Sequence, residues 1–146
     1  MTHADKGRYA AKHGTDKGPD EKIAAAVRLK VQEGRLACGD AEKISADLGT
    51  AMAEVGRTLD LLEIRIDRCQ LGLFGFPGQE KGKGVRPADQ VAPELEAAIR
   101  GRLAGGRLPC TAAWKIAAEM KIPRMAVSAA CEALKLKVKP CQLGAF

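Results

Sequence analysis

The sequence predicts a mostly helical α+β protein made of two copies of one small module. Three observations lead there. Displaced by 72 positions, the chain aligns with itself without a gap, residues 23–74 on 95–146, and 18 of those 52 positions are identical. Within each copy, three segments carry apolar residues at helical spacing. Each copy then changes to a period of two and finishes on one phrase, CQLGLF at 69–74 and CQLGAF at 141–146. An ungapped repeat of this length marks duplication, and two units are too few for a solenoid.

The elements follow in order. Ile23, Ala26, Val27 and Val31 predict a helix over 21–32, and Leu95, Ala98, Ile99 and Leu103 repeat its stripe. Gly34 and the pair Gly105-Gly106 stop these helices. Leu36-Ala37-Cys38 and Leu108-Pro109-Cys110 fit only a brief extended stretch. Asp40 and Thr111 are then expected to cap a second helix, carrying Ala41, Ile44 and Leu48 or Ala113, Ile116 and Met120. After a short break, Gly49-Thr50 or Lys121-Ile122-Pro123, a third helix buries Val55, Leu59 and Leu62, or Val127, Cys131 and Leu134. Pro123 suits a first helical position.

Alternation over 62–67 and 134–139 predicts a half-buried strand, with CQLG returning beside it as a small β-hairpin. Cys69, Leu71 and Phe74 are expected over their own copy's helices, and Cys141, Leu143 and Phe146 over theirs. The domain plan is an N-terminal arm at 1–20, a module at 21–75, a Gly/Pro-rich linker at 76–93 and a second module at 94–146. The arm holds His3, Tyr9, Lys12 and His13, has no counterpart in the second copy, and is expected to be flexible.

Composition narrows the function classes. Hydrophobic residues make up 46% of the chain, but aromatics only 3%, so the core must be Ala, Leu, Ile and Val. No apolar run approaches the roughly 20 residues needed to cross a bilayer, and the N-terminus lacks a secretory pattern, so a cytoplasmic protein with no membrane partner is expected. The formal charge is +6, and residues 94–146 hold 9 basic against 4 acidic side chains, whereas 34–75 hold 5 against 7. An anionic partner is expected at the second copy. Catalysis is not: Lys81-Gly82-Lys83-Gly84 lacks the strand and helix flanks of a phosphate-binding loop, and both histidines lie in the arm. No cofactor is expected.

The element order quoted above resembles the winged helix-turn-helix superfamily, over most of each copy. The resemblance implies a third helix that enters the DNA major groove and a hairpin wing that touches the phosphate backbone. In copy one the outward positions of that helix are Ala53, Glu54, Arg57, Asp60 and Leu61, a poor surface for an anion. In copy two they are Arg124, Ser128, Ala129 and Glu132, of which Arg124 and Ser128 suit base or phosphate contacts. On the strand, Lys135, Lys137 and Lys139 alternate with Leu136 and Val138. That alternation sets three ammonium groups at intervals of about 6.6 Å on one face, near the spacing of phosphates. Lysines also guard exposed strand edges against pairing, so the two readings compete.

Duplex DNA is therefore the expected partner and a transcription-related role the expected function, carried by the second module. A protein-interaction module, with its partner on the acidic first copy, is the alternative. Cys38, Cys69, Cys110 and Cys141 allow a further one, a thiol-based metal or redox sensor, if each copy brings two thiols together. No CxxC spacing supports a metal site, and buried packing is the favoured role of these cysteines. Trp114, which replaces Glu42 of the first copy, is expected to pack beside Ala113.

Overall fold

The computed structural model describes residues 18–146; all four arm residues singled out above lie outside the described residues. The described chain is mixed α/β and mostly helical, with six α-helices and one two-stranded sheet. No helix among the described residues is long and apolar enough to cross a membrane. The chain divides into two compact units, and the division departs from the expected domain plan. Unit 1 combines the residues before Cys69 with 142–146, and unit 2 is 69–141.

In unit 1, α1 spans Glu21–Arg28 and starts on Asp20. The Asp20 carboxylate accepts from the Lys22 and Ile23 N–H groups at 2.9 and 3.0 Å, satisfying two of the orphan donors at a helix start. The helix stops short of the predicted 32, because the chain must reach a tight turn. Gln32 and Arg35 exchange reciprocal N–H to C=O bonds of 2.9 Å, with Glu33 and Gly34 at φ 51° and 73° between them. Two successive positive φ values are what a two-residue hairpin turn of the I′ type requires.

From this turn run β1 (Arg35–Ala37), α2 (Cys38–Leu48) and α3 (Met52–Leu61). Helix α2 begins at Cys38 with no side-chain cap, so Asp40 sits within its first turn and is not the cap. Gly49, in the left-handed region at φ 61°, ends α2 and lets α3 begin three residues later. The three helices pack on one another through Ile23, Val27, Ile44, Val55 and Leu59, all essentially without exposed surface. Full burial of such side chains contributes about 1.5–3 kcal/mol each.

Among the described residues the expected hairpin does not form. Strand β2 (Arg65–Asp67) pairs in parallel with β1, Leu36 opposite Ile66. Of the strand expected over 62–67, only 65–67 forms, with Ile66 inward and Arg65 outward. Its neighbour is the segment before α2 and not CQLG, because Arg68 adopts φ 48° and turns the chain away after Asp67. Unit 1 is closed instead by 142–146, with Leu143 and Ala145 buried. The Leu143 backbone lies directly on Gly56 in the middle of α3.

Unit 2 repeats the plan with α4 (Pro93–Arg100), α5 (Cys110–Met120) and α6 (Arg124–Ala133). Ala104 and Arg107 form the matching turn, with Gly105 and Gly106 at φ 60° and 78°. Helix α5 begins at Cys110, one residue before Thr111, which therefore does not cap it; Pro123 likewise precedes α6. In place of a strand pair there is a single parallel bridge, Leu108 to Val138. The core joins Leu95, Ile99, Leu108, Ile116 and Val127 to Cys69 and Leu71. Thus CQLGLF completes the helices of the second copy, and QLGAF those of the first. The phrase is a turn here, closed by Gly72 N–H to Cys69 O at 2.9 Å and Cys69 N–H to Phe74 O at 3.2 Å.

Candidate nucleic-acid interface

The third helix of copy two was expected to be the reading helix, and its outward positions are occupied by the chain itself. The Arg124 guanidinium lies 3.7 Å from the centroid of the Trp114 ring and donates to Gln70 Oε1 at 2.8 Å. Ser128 has no exposed surface, and its hydroxyl has no hydrogen-bond partner among the described residues. Ala129 O accepts from Ala88 N–H at 3.0 Å, and Glu132 pairs with Lys83 at 2.6 Å. Residues 70–88 therefore cover the face of α6 that a major groove would need.

Two local features hold this cover in place. The Gly72 carbonyl accepts from both Gly84 and Val85 N–H, at 2.8 and 3.0 Å, and Val85 is buried. A Cβ on Gly72, which sits at φ 75°, would come within 2.9 Å of the Val85 side chain and 3.1 Å of the Met125 methyl. The linker is thus irregular, as expected, but packed. Arg124 and Ser128, taken from the sequence as DNA contacts, are placed by the structure in a stacking role and an interior role respectively.

The lysines stand differently. Lys135, Lys137 and Lys139 are all exposed, and no ion pair engages them among the described residues. They are not one straight strand row. Lys135 lies at φ 58° in the turn that ends α6, where its N–H donates to Glu132 O and Leu136 N–H returns to Cys131 O. A cation there also suits the negative end of the helix dipole. Lys137 and Lys139 flank Val138, held by Leu108 N–H to Lys137 O at 2.9 Å and Lys139 N–H to Leu108 O at 2.8 Å.

Those two bonds bring in a residue that sequence reading missed. Arg107 immediately precedes Leu108, is exposed, and neighbours Lys137 across the bridge as Arg35 neighbours Arg65 in unit 1. The signal was available, since Gly-Arg-Leu is identical in the two copies. Four cationic side chains thus border one short bridge. Two other bases of unit 2 are held in ion pairs, Arg100 on Glu96 at 2.7 Å and Arg102 on Glu119 at 2.5 Å. A cleft of about 360 Å³ beside α5, lined by Arg102, Thr111, Ala112, Lys115 and Glu119, carries that second pair across it.

Of the two thiol pairs that a metal or redox site would need, the one in copy one, Cys38 with Cys69, is divided between the units. Cys38 belongs to unit 1, whereas Cys69, Cys110 and Cys141 all belong to unit 2. None of the five cysteines is in a disulfide, and four are buried. Among the described residues no three His, Cys, Asp or Glu side chains stand together to hold a metal ion. Burial raises the Cys69 thiol above its usual range, with a smaller push from neighbouring Cys141. Burial, with the Glu132 charge behind it, lifts Cys131 to about 11. These thiols are poor nucleophiles at neutral pH.

Trp114 packs on the unit 2 core, as expected of it. Comparison with family models, curated proteins and solved structures found no match. Functional inference therefore rests on the geometry of these residues.

Proposed function

We propose that the protein binds duplex DNA through the phosphate backbone, with Lys135, Lys137, Lys139 and Arg107 of unit 2 as the contact surface. The supporting observation is that these four exposed cations border one short bridge and have no carboxylate partner among the described residues. Unit 2 as a whole holds 12 basic against 6 acidic side chains, and the described part of unit 1 holds 8 against 10. The field of the molecule thus points an anion to one unit.

The matching edge of unit 1 carries Glu63 and Asp67 beside Arg35 and Arg65, so its charges cancel and it offers phosphate no net attraction. Within the winged helix-turn-helix resemblance, the lysine edge takes the backbone-touching role of a wing, although it is a parallel bridge. Arg124 and Ser128 fall outside the proposed surface, because one is stacked on Trp114 and the other has no accessible atom. Contacts to phosphate alone position a protein without reading bases, so the proposal implies little sequence preference. A role in transcription would then be architectural.

The test is a fluorescence-anisotropy titration with two unrelated duplexes over a range of salt. Similar affinities that fall steeply with salt support the proposal; salt-independent binding, or none at low salt, sinks it.

A further inference from the structure

Independently of the charge-based reading, we infer that unit 1 carries a binding site on α3 for a bent Gln-Leu-Gly segment, and that a second copy of this chain can supply it. The site is already seen with one occupant, residues 142–146 of the same chain. Its floor is Gly56. A Cβ built there would stand 2.0 Å from the Leu143 carbonyl oxygen, 2.7 Å from its carbon and 2.9 Å from its Cα. The neighbours are backbone, so no side-chain rotation relieves the clash.

Glycine inside a helix is a poor choice unless something requires the space. Here the requirement is on the page: the helix surface is opened so that a peptide backbone can lie on it. Leu143 and Ala145 are then buried, while Gly144 between them, at φ 78°, keeps the segment bent onto the helix.

The occupant is not unique to the position it holds. Gln-Leu-Gly is identical at 70–72 and 142–144, and each unit takes the one that follows the third helix of the other unit. The second unit's floor is less well matched. Ser128 stands where Gly56 stands in unit 1, and its hydroxyl is buried without a partner. The unit 1 site is therefore the better fitted of the two for this motif.

Residues 142–146 reach unit 1 only after the whole of unit 2 has intervened, so nothing in the geometry of the site itself demands that they come from the same chain. The exchange of an identical element between protomers is a low-cost route to a dimer. Tethering gives the resident segment an effective concentration that a competing copy has to match. A second copy therefore competes at comparable concentration, or whenever one resident segment is displaced.

Complementary variants of the full chain test this. Gly56→Val closes the floor and frees its own segment; Leu143→Asp leaves the floor open and its own segment unable to seat. Each alone is expected to run as a monomer of 15.5 kDa, and their equimolar mixture as a species of twice that mass. No such species in the mixture overturns the inference. Since Gly56→Val can lose unit 1, a labelled QLGAF peptide is also titrated into wild type and Leu143→Asp. Binding at least tenfold tighter to Leu143→Asp supports the site, and equal binding or none to both overturns it. A scrambled peptide that binds equally well does the same.

Discussion

Replacing Gly56 by alanine sets two effects of known sign against each other. In an unobstructed helix the change stabilises by about 1 kcal/mol, because alanine loses less conformational freedom than glycine. At Gly56 the new methyl would stand 2.0 Å from the Leu143 oxygen, so segment 142–146 must shift or leave. If it leaves, Leu143, now 2% exposed, and Ala145, now 5% exposed, return to water. Those losses come to about 1.5–3 kcal/mol for the leucine and about 0.8 for the alanine methyl.

The balance is a net destabilisation of roughly 1–3 kcal/mol, confined to unit 1. Urea unfolding followed by far-UV circular dichroism sees both units, and fluorescence of Trp114 sees unit 2. The expected result is an early transition in circular dichroism that the fluorescence does not share. Stabilisation near 1 kcal/mol would refute the reasoning, since it would mean that nothing lies on the α3 face in solution.

Further outcomes follow from the same packing. Leu71→Ala should cost about 2–5 kcal/mol and move the Trp114 fluorescence midpoint, because Leu71 lies in the unit 2 core; an effect confined to unit 1 would contradict the assignment of the CQLG turns. Ser128→Ala removes a buried, unpartnered hydroxyl and should stabilise by about 1 kcal/mol while leaving DNA affinity unchanged, checked by urea melt and anisotropy. The raised Cys131 thiol favours its protonated form in the fold, so its contribution is complete below the unfolded value of 9.0 and is lost as pH rises toward about 11. Urea midpoints at pH 8 and 10.5 should therefore fall more for wild type than for Cys131→Ala, and equal falls would place Cys131 in solvent.

Much of the fold was legible because its signals are local. Helical spacing located all six helices, and the repeat register predicted that each landmark of unit 1 would recur in unit 2. Cap positions were missed: Asp40 and Thr111 look like N-caps, but α2 and α5 start earlier, at the two cysteines. The strand partner was not legible either, since alternation shows which face is buried and says nothing of the neighbour. Arg68 at φ 48° and Lys135 at φ 58° are left-handed residues without glycine, and no residue type announced those bends.

Ownership of the QLG turns was hidden for a deeper reason. The two phrases are nearly identical, so either would satisfy either set of helices, and only the path of the chain decides between them. The same ambiguity misplaced the interface. Arg124 and Ser128 fit the pattern of outward residues, and the turn with its linker covers them. Lys135, Lys137 and Lys139 stayed exposed because charge on a short bridge has nowhere else to go.

The most direct measurement compares the salt dependence of DNA binding by wild type with that of the Lys135→Ala, Lys137→Ala, Lys139→Ala triple variant. Each phosphate contact contributes about 0.9 to the slope of log affinity against log salt. The account predicts a slope reduced by about 2 to 3 and weaker binding to every duplex tested. An unchanged slope and affinity would contradict it.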